Sequence, residues 1–189
     1  MSVSPGKAPH WAQVTGLLES HGVTLVLDVG GNIGQYATAL RRNGYAGRIV
    51  SFEPLSSAHG ALTEAAAGDT GWTIAPRTAV GASPGEVEIN VSPESDMSSL
   101  LAMTETARRH LASAAPTATE RVALTSLAAE LPKYAGADDV VFVKSDTQGF
   151  EAAVLDGLED AAGAIDGAID GRVAGLQLEL FLVPVYQGQ

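Results

Sequence analysis

The sequence predicts an α/β fold built on a mostly parallel central sheet with helices on both faces. Three observations predict it. Short apolar runs alternate with helical patterns, a glycine-rich turn sits where the first run hands over to a helix, and an acidic residue closes the second run. With 189 residues, the chain has room for one core and not comfortably for two, so residues 1–189 are expected as one domain.

A leading helix is expected over Trp11–Ser20, within a 1–22 lead-in, followed by the strand Leu25–Val29 and a helix from Gln35 to Arg42. The run Arg48–Phe52 reads as the second strand and closes on Glu53-Pro54, where proline ends it. A helix rich in Ala and Leu extends to about Ala67, and Trp72–Val80 reads as one third strand. Residues 81–125 are expected to form a hairpin and a substrate-side insert: Ser83-Pro84-Gly85 is turn chemistry, and Val87–Val91 alternates with period two. Ser92–Ser99 reads as an exposed loop, Thr104–Ala112 as a helix, Arg121–Leu124 as a short strand, followed by a helix ending at Pro132. Val140–Lys144 is the most strand-like run in the chain. A helix over Phe150–Leu158 and a fifth strand over Leu176–Leu182 complete the pattern. The tandem Ala164-Ile165-Asp166-Gly167 and Ala168-Ile169-Asp170-Gly171 reads as a lengthened surface loop, too short to be a repeat architecture.

Composition narrows the function. A net charge of −11 repels nucleic-acid phosphates and anionic membranes, and no Lys/Arg cluster offsets it. No cysteine is present, which excludes disulfides, thiolate zinc sites and cysteine nucleophiles. The first residues lack the apolar run of a signal peptide, and no stretch has the length of a membrane span, so a cytoplasmic location without membrane insertion is expected.

The turn Asp28-Val29-Gly30-Gly31-Asn32-Ile33-Gly34 lies between strand and helix, where glycines let the backbone approach a ligand. Its glycine spacing fails the G-x-G-x-x-G of a dinucleotide site, which disfavours a nicotinamide-dependent oxidoreductase. It fits D-x-G-x-N-x-G, a form that suits S-adenosylmethionine: a carboxylate before the glycines addresses an ammonium group and would suit a pyrophosphate badly. Glu53, 19 residues after Gly34, stands where a carboxylate accepts the hydroxyls of a ribose.

With these motifs and the later run Lys144-Ser145-Asp146-Thr147-Gln148-Gly149-Phe150-Glu151, the chain resembles the FkbM-type methyltransferases. The matching segments are LVLDVGGNIGQYA, VSFEP, Met97-Ser98-Ser99-Leu100, VKSDTQGFEAAVLDG and LQLELFLVPVYQG, spanning roughly Val23 to Gln189. The resemblance implies a Rossmann-like methyltransferase fold and transfer of a methyl group from S-adenosylmethionine to the hydroxyl oxygen of a small molecule such as a sugar or polyketide. It implies that Asp28, Gly30, Gly31, Asn32 and Gly34 line the methionine part of the cofactor, joined by Gln35. Glu53 would hold the ribose with Pro54 beside it, Thr78 and Ala79 would flank the adenine, and Asp146 would stand next to the sulfonium and the acceptor. Thr125-Ser126-Leu127 replaces the Leu-Asp usual before the DTQG segment, a change expected to affect local capping only. Methyltransferases of this fold continue with a helix and an antiparallel strand pair, roughly 40–50 more residues. Without them the fifth strand is an open edge, so a shortened chain is expected, or else a second copy or partner chain covering that edge.

Methyl transfer asks for in-line positioning and help with one proton. Asp146 and Glu179, at the ends of neighbouring strands, are the candidates to share an acceptor hydroxyl. A Mg²⁺ ion held by the same two residues is less favoured, because no third oxygen ligand stands out. Glu179 has a plainer reading as a strand cap or a partner of Lys144. His110, in the substrate-side insert, is the one histidine expected near the acceptor, whereas His10, His21 and His59 read as solvated. Ser98 and Ser99 either bond a polar substrate or only water. The competing expectation is a non-catalytic S-adenosylmethionine-binding or assembly domain of the same fold.

Overall fold

The computed structural model describes residues 8–159 and 173–189. In chain order the elements are α1 (Ala8–Ser20), β1 (Leu25–Val29), α2 (Gln35–Arg42), β2 (Arg48–Phe52), α3 (Ser56–Ala65), β3 (Trp72–Ile74), β4 (Thr78–Val80), β5 (Gly85–Val91), α4 (Glu105–His110), β6 (Ala118–Thr125), α5 (Leu127–Tyr134), β7 (Val141–Ser145), α6 (Glu151–Glu159) and β8 (Val173–Leu178). Five strands form a wholly parallel sheet in the order β3-β2-β1-β7-β8.

The two faces of that sheet follow from strand alternation. Leu25, Leu27, Val29, Val50, Phe52, Val141 and Val143 point to one side, where Leu127 and Leu131 of α5 and Val154 and Leu158 of α6 cover them. Val26, Ile49 and Phe142 point to the other side, against Leu18 of α1, Tyr36 and Leu40 of α2 and Leu62 of α3. Both faces are therefore dry, which is why β1 and β7 read as continuous apolar runs. The fold is the α/β, Rossmann-like architecture expected.

Beside it lies a second sheet in the order β4-β6-β5, parallel between β4 and β6 and antiparallel between β6 and β5. This corrects two expectations. Trp72–Val80 is not one strand: Ala75 N–H gives the last bond to Ser51 (3.0 Å), and Pro76, which has no N–H to offer the ladder, separates β3 from β4 in the other sheet. Nor does the Ser83-Pro84-Gly85 turn pair its flanking strands, because β6 inserts between β4 and β5.

Smaller corrections follow from packing. The segment 92–99 is not an exposed loop: it carries a 3₁₀ turn, Ser95–Met97, and buries Ser92, Ser98 and Ser99. α5 runs past Pro132 to Tyr134, capped at its start by Ser126 Oγ accepting from Ala129 N (3.3 Å). β8 starts and ends earlier than Leu176–Leu182, since β7 offers no partner beyond Ser145. Leu180, Leu182 and Val183 are consequently exposed. The tandem at 164–171 lies outside the described residues. Among the described residues no helix is long and apolar enough to cross a membrane.

Candidate active site

Beneath the glycine turn runs a polar row that the register dictates. Asp28 stands opposite Ser51 on one side and Lys144 on the other, all on the α2 face. Trp72 Nε1–H donates to Ser51 Oγ (2.9 Å), Ser51 Oγ donates to Asp28 Oδ2 (2.9 Å), and Lys144 Nζ lies 3.0 Å from Asp28 Oδ1. Lys144 also donates to the Gly30 carbonyl (2.9 Å) and sits over the Tyr36 ring. Asp28 is wholly buried and opens into no cleft described below. Its carboxylate is matched by the ammonium under the turn, as a buried charge requires.

The turn itself needs the left-handed region at Gly30 (φ 76°), Asn32 (φ 46°) and Gly34 (φ 90°). At Gly30 a Cβ would lie 1.9 Å from the Asp146 carbonyl oxygen, so only glycine lets β1 and β7 pass this close. Gly34 packs against Trp72, where a Cβ would fall 2.8 Å from the ring.

Glu53 leaves the end of β2 and folds back onto this turn. Its Oε2 accepts from Asn32 N–H (2.8 Å) and its Oε1 from Leu55 N–H (2.8 Å). Burial pushes its proton affinity up to about 7, against the pull of those two N–H groups. It lines a first cleft whose floor is Val29, Gly30, Asn32 and Asp146 and whose apolar wall is Leu55, Ala79, Val80, Ile89 and Leu100. Pro54 and Thr78 line it as well. Much of that wall comes from the second sheet and the 92–100 segment, which Ser95 ties to the turn by donating to Asn32 Oδ1 (3.0 Å).

A second cleft opens on the other side of Gly30 and Asn32. His10, Trp11, Gln35, Tyr36, Gln177 and Glu179 line it, together with Gly31, Lys144, Asp96 and Asp146. Gly30, Asn32, Asp96 and Asp146 border both clefts. Asp146, just beyond β7, and Glu179, just beyond β8, meet at the seam. Glu179 is pushed up to about 7, first by its hydrogen bond to Asp146 and then by burial and Asp146's charge. A hydrogen bond between two carboxyl groups needs a proton on one of them, which is why Glu179 holds its own above the usual carboxylate range.

Most of the expected site residues therefore converge. Gly30, Asn32, Glu53, Pro54, Thr78, Ala79 and Asp146 meet at the first cleft, and Gly31, Gln35 and Glu179 join at the second. Asp28 and Gly34 support the turn from below. His110 is exposed at the end of α4 and borders neither cleft. Lys144 pairs with Asp28, not with Glu179, because the shared register sets them side by side. His59 is half-buried and bonded to the Ala75 carbonyl (2.9 Å). Ser99 donates to the Gln148 carbonyl (2.6 Å), so its hydroxyl serves the protein itself. The sequence reading missed Asp96, Gln148 and Tyr186. Only Gln148 carried a signal, its place two residues beyond Asp146. Among the described residues no group of three His, Cys, Asp or Glu side chains is arranged to hold a metal ion.

No curated protein sequence matches this chain. The family model for the methyltransferase FkbM domain matches residues 28–179, from the aspartate under the glycine turn to the glutamate at the seam. That match covers most of the chain, and the protein belongs to the FkbM methyltransferase family.

Proposed function

We propose that the protein is an S-adenosylmethionine-dependent O-methyltransferase, with the nucleoside of its cofactor in the first cleft and a hydroxylated small molecule, such as a sugar or polyketide, in the second. The observation that carries this reading is the convergence of Glu53 with the turn, 2.8 Å from Asn32 N–H, in one cleft. Each Glu53 oxygen accepts one backbone N–H and keeps a second lone pair, so the pair of oxygens suits the two hydroxyls of a ribose. The apolar wall of Leu55, Ala79, Val80, Ile89 and Leu100 suits a planar base.

The bound cofactor supplies an electrophilic methyl group on a sulfonium. The chain's own residues then have little to do beyond orientation and one proton. Asp146 borders both clefts with Glu179 beside it in the second, so we assign this carboxyl pair to take the proton released by an acceptor hydroxyl. Gln35, Gln177 and the Trp11–Tyr36 aromatic pair give the second cleft the mixed polar and apolar lining that a hydroxylated molecule needs.

Isothermal titration with S-adenosylhomocysteine tests the first step. Saturable binding is expected, and none at millimolar ligand would overturn the assignment. A panel of glycosides and polyketides with labelled methyl donor then tests transfer to oxygen.

A further inference from the structure

We propose that Gln148 is a positioning residue for transfer: its amide holds Asp146 and Glu179 together as one proton-sharing pair and ties that pair to the segment covering the first cleft. The proposal rests on the reading that this pair meets the acceptor.

Gln148 is 7% exposed, and its Nε2 lies 2.8 Å from both Asp146 Oδ1 and Glu179 Oε2. An amide nitrogen carries two hydrogens, and each goes to a different carboxylate. The carboxylates themselves set the amide's orientation, and Oε1 lies 3.2 Å from Tyr186 O–H, which shares its one hydrogen between this oxygen and the Met97 carbonyl. Turned the other way, the amide would aim a lone-pair oxygen at two carboxylates. Its main-chain carbonyl accepts from Ser99 Oγ (2.6 Å), and Tyr186 O–H also reaches the Met97 carbonyl (2.9 Å). One residue thus joins β7, the residue after β8, the 97–99 segment and the C-terminal Tyr186.

The backbone carries a matching sign. Among the described residues, the only non-glycine residues with positive φ are Asn32 and Gln148 (φ 56°), and both line the first cleft. A glutamine held in the left-handed region is strained, and such strain persists where the surroundings over-determine it. Gly149 follows with φ 92°, and a Cβ there would press on the Tyr186 ring at 3.0 Å.

Other charges face the pair from every side. Lys144 of β7 lies 3.8 Å from Asp146 Oδ2 but is shared with Asp28 of β1. Glu151 of α6 acts on Glu179 through its charge, Asp96 of the 92–99 segment borders the same clefts, and His10 of α1 lines the second. Negative groups outnumber positive ones here, so the two N–H donors of Gln148 join the shared Lys144 ammonium in favouring an ionised partner beside a protonated one.

The test is a titration of ¹³C-labelled carboxyl carbons by NMR on the whole chain, comparing wild type with Gln148→Met and Gln148→Asn. Met removes both donors. Asn keeps an amide and accepts a positive φ readily, but is one methylene too short to reach both carboxylates, so it separates reach from folding. In both variants the upper midpoint of the pair should rise by about one pH unit or more, a tenfold change in proton affinity. Should Met prevent folding, the Asn variant decides alone. Unchanged midpoints, or two carboxylates titrating independently in the wild type, would overturn the proposal. S-adenosylhomocysteine titrated into the wild type judges the underlying function separately: failure to bind removes that reading and leaves the midpoints to judge Gln148.

Discussion

Glu53→Gln separates the stability of the site from its use. In the folded chain the carboxyl holds its proton to about pH 7, against 4.5 for an ordinary glutamate. The folded state therefore binds more protons than the unfolded state between those values, and stability falls as pH rises through that window. At one pKa unit per 1.36 kcal/mol, the loss is about 3 kcal/mol once the group is ionised. Glutamine does not titrate, so the variant lacks this loss. It has a cost of its own, because its NH₂ faces either Asn32 N–H or Leu55 N–H and leaves one buried donor unmatched, about 1–3 kcal/mol. The variant should thus be the less stable protein at pH 5. Because the unfolded chain is already partly ionised at pH 5, the gap should close by about 2–3 kcal/mol towards pH 8, leaving the variant equal or superior there. Urea unfolding at pH 5, 6, 7 and 8 reads this directly, and Glu179, which titrates in both proteins, cancels from the difference. At pH 8 the variant should bind S-adenosylhomocysteine roughly tenfold to hundredfold more weakly, from the loss of charge-assisted hydrogen bonds worth about 1.5–3 kcal/mol. A stability difference that stays flat from pH 5 to pH 8 would refute the reasoning.

Three further outcomes are expected. Gly30→Ala should cost on the order of 3–5 kcal/mol or prevent folding, because its Cβ would meet the Asp146 carbonyl at 1.9 Å; a normal thermal midpoint would contradict this. Lys144→Met should cost about 3–5 kcal/mol by stranding the buried Asp28 charge, and adding Asp28→Leu should recover part of it in denaturant unfolding. Ser95→Ala removes the hydrogen bond to Asn32 and should lower stability by only about 0.5–1.5 kcal/mol, while limited proteolysis within 92–99 becomes faster.

The legible part of this protein is what short segments decide. Burial on both faces wrote itself into Leu25–Val29 and Val141–Ser145 as apolar runs, because strands covered on both faces tolerate few polar side chains. The glycines at 30 and 34 and the acid at 53 were readable because each sits at a fixed offset from a strand end. Segments whose shape depends on a distant partner misled the reading. Nothing local to Ser83-Pro84-Gly85 announces that β6, more than 30 residues on, separates the strands it joins. Nor does the polarity of Ser92–Ser99 reveal that three of its serines are buried against Gln148 and their own segment.

Asp28 draws the line most clearly. Sequence alone determined the α/β class, the turn, and the placing of Asp28, Glu53 and Asp146 at the ends of parallel strands, since strand periodicity and glycine geometry are local properties of the chain. Only the tertiary structure decided what surrounds each carboxylate. Lateral register set Lys144 against Asp28 and withdrew that aspartate from the clefts, while burial left Glu53 on the turn with a raised proton affinity. A carboxylate's role depends on which charges, donors and dry surfaces surround it, and those are brought together by segments far apart in the chain.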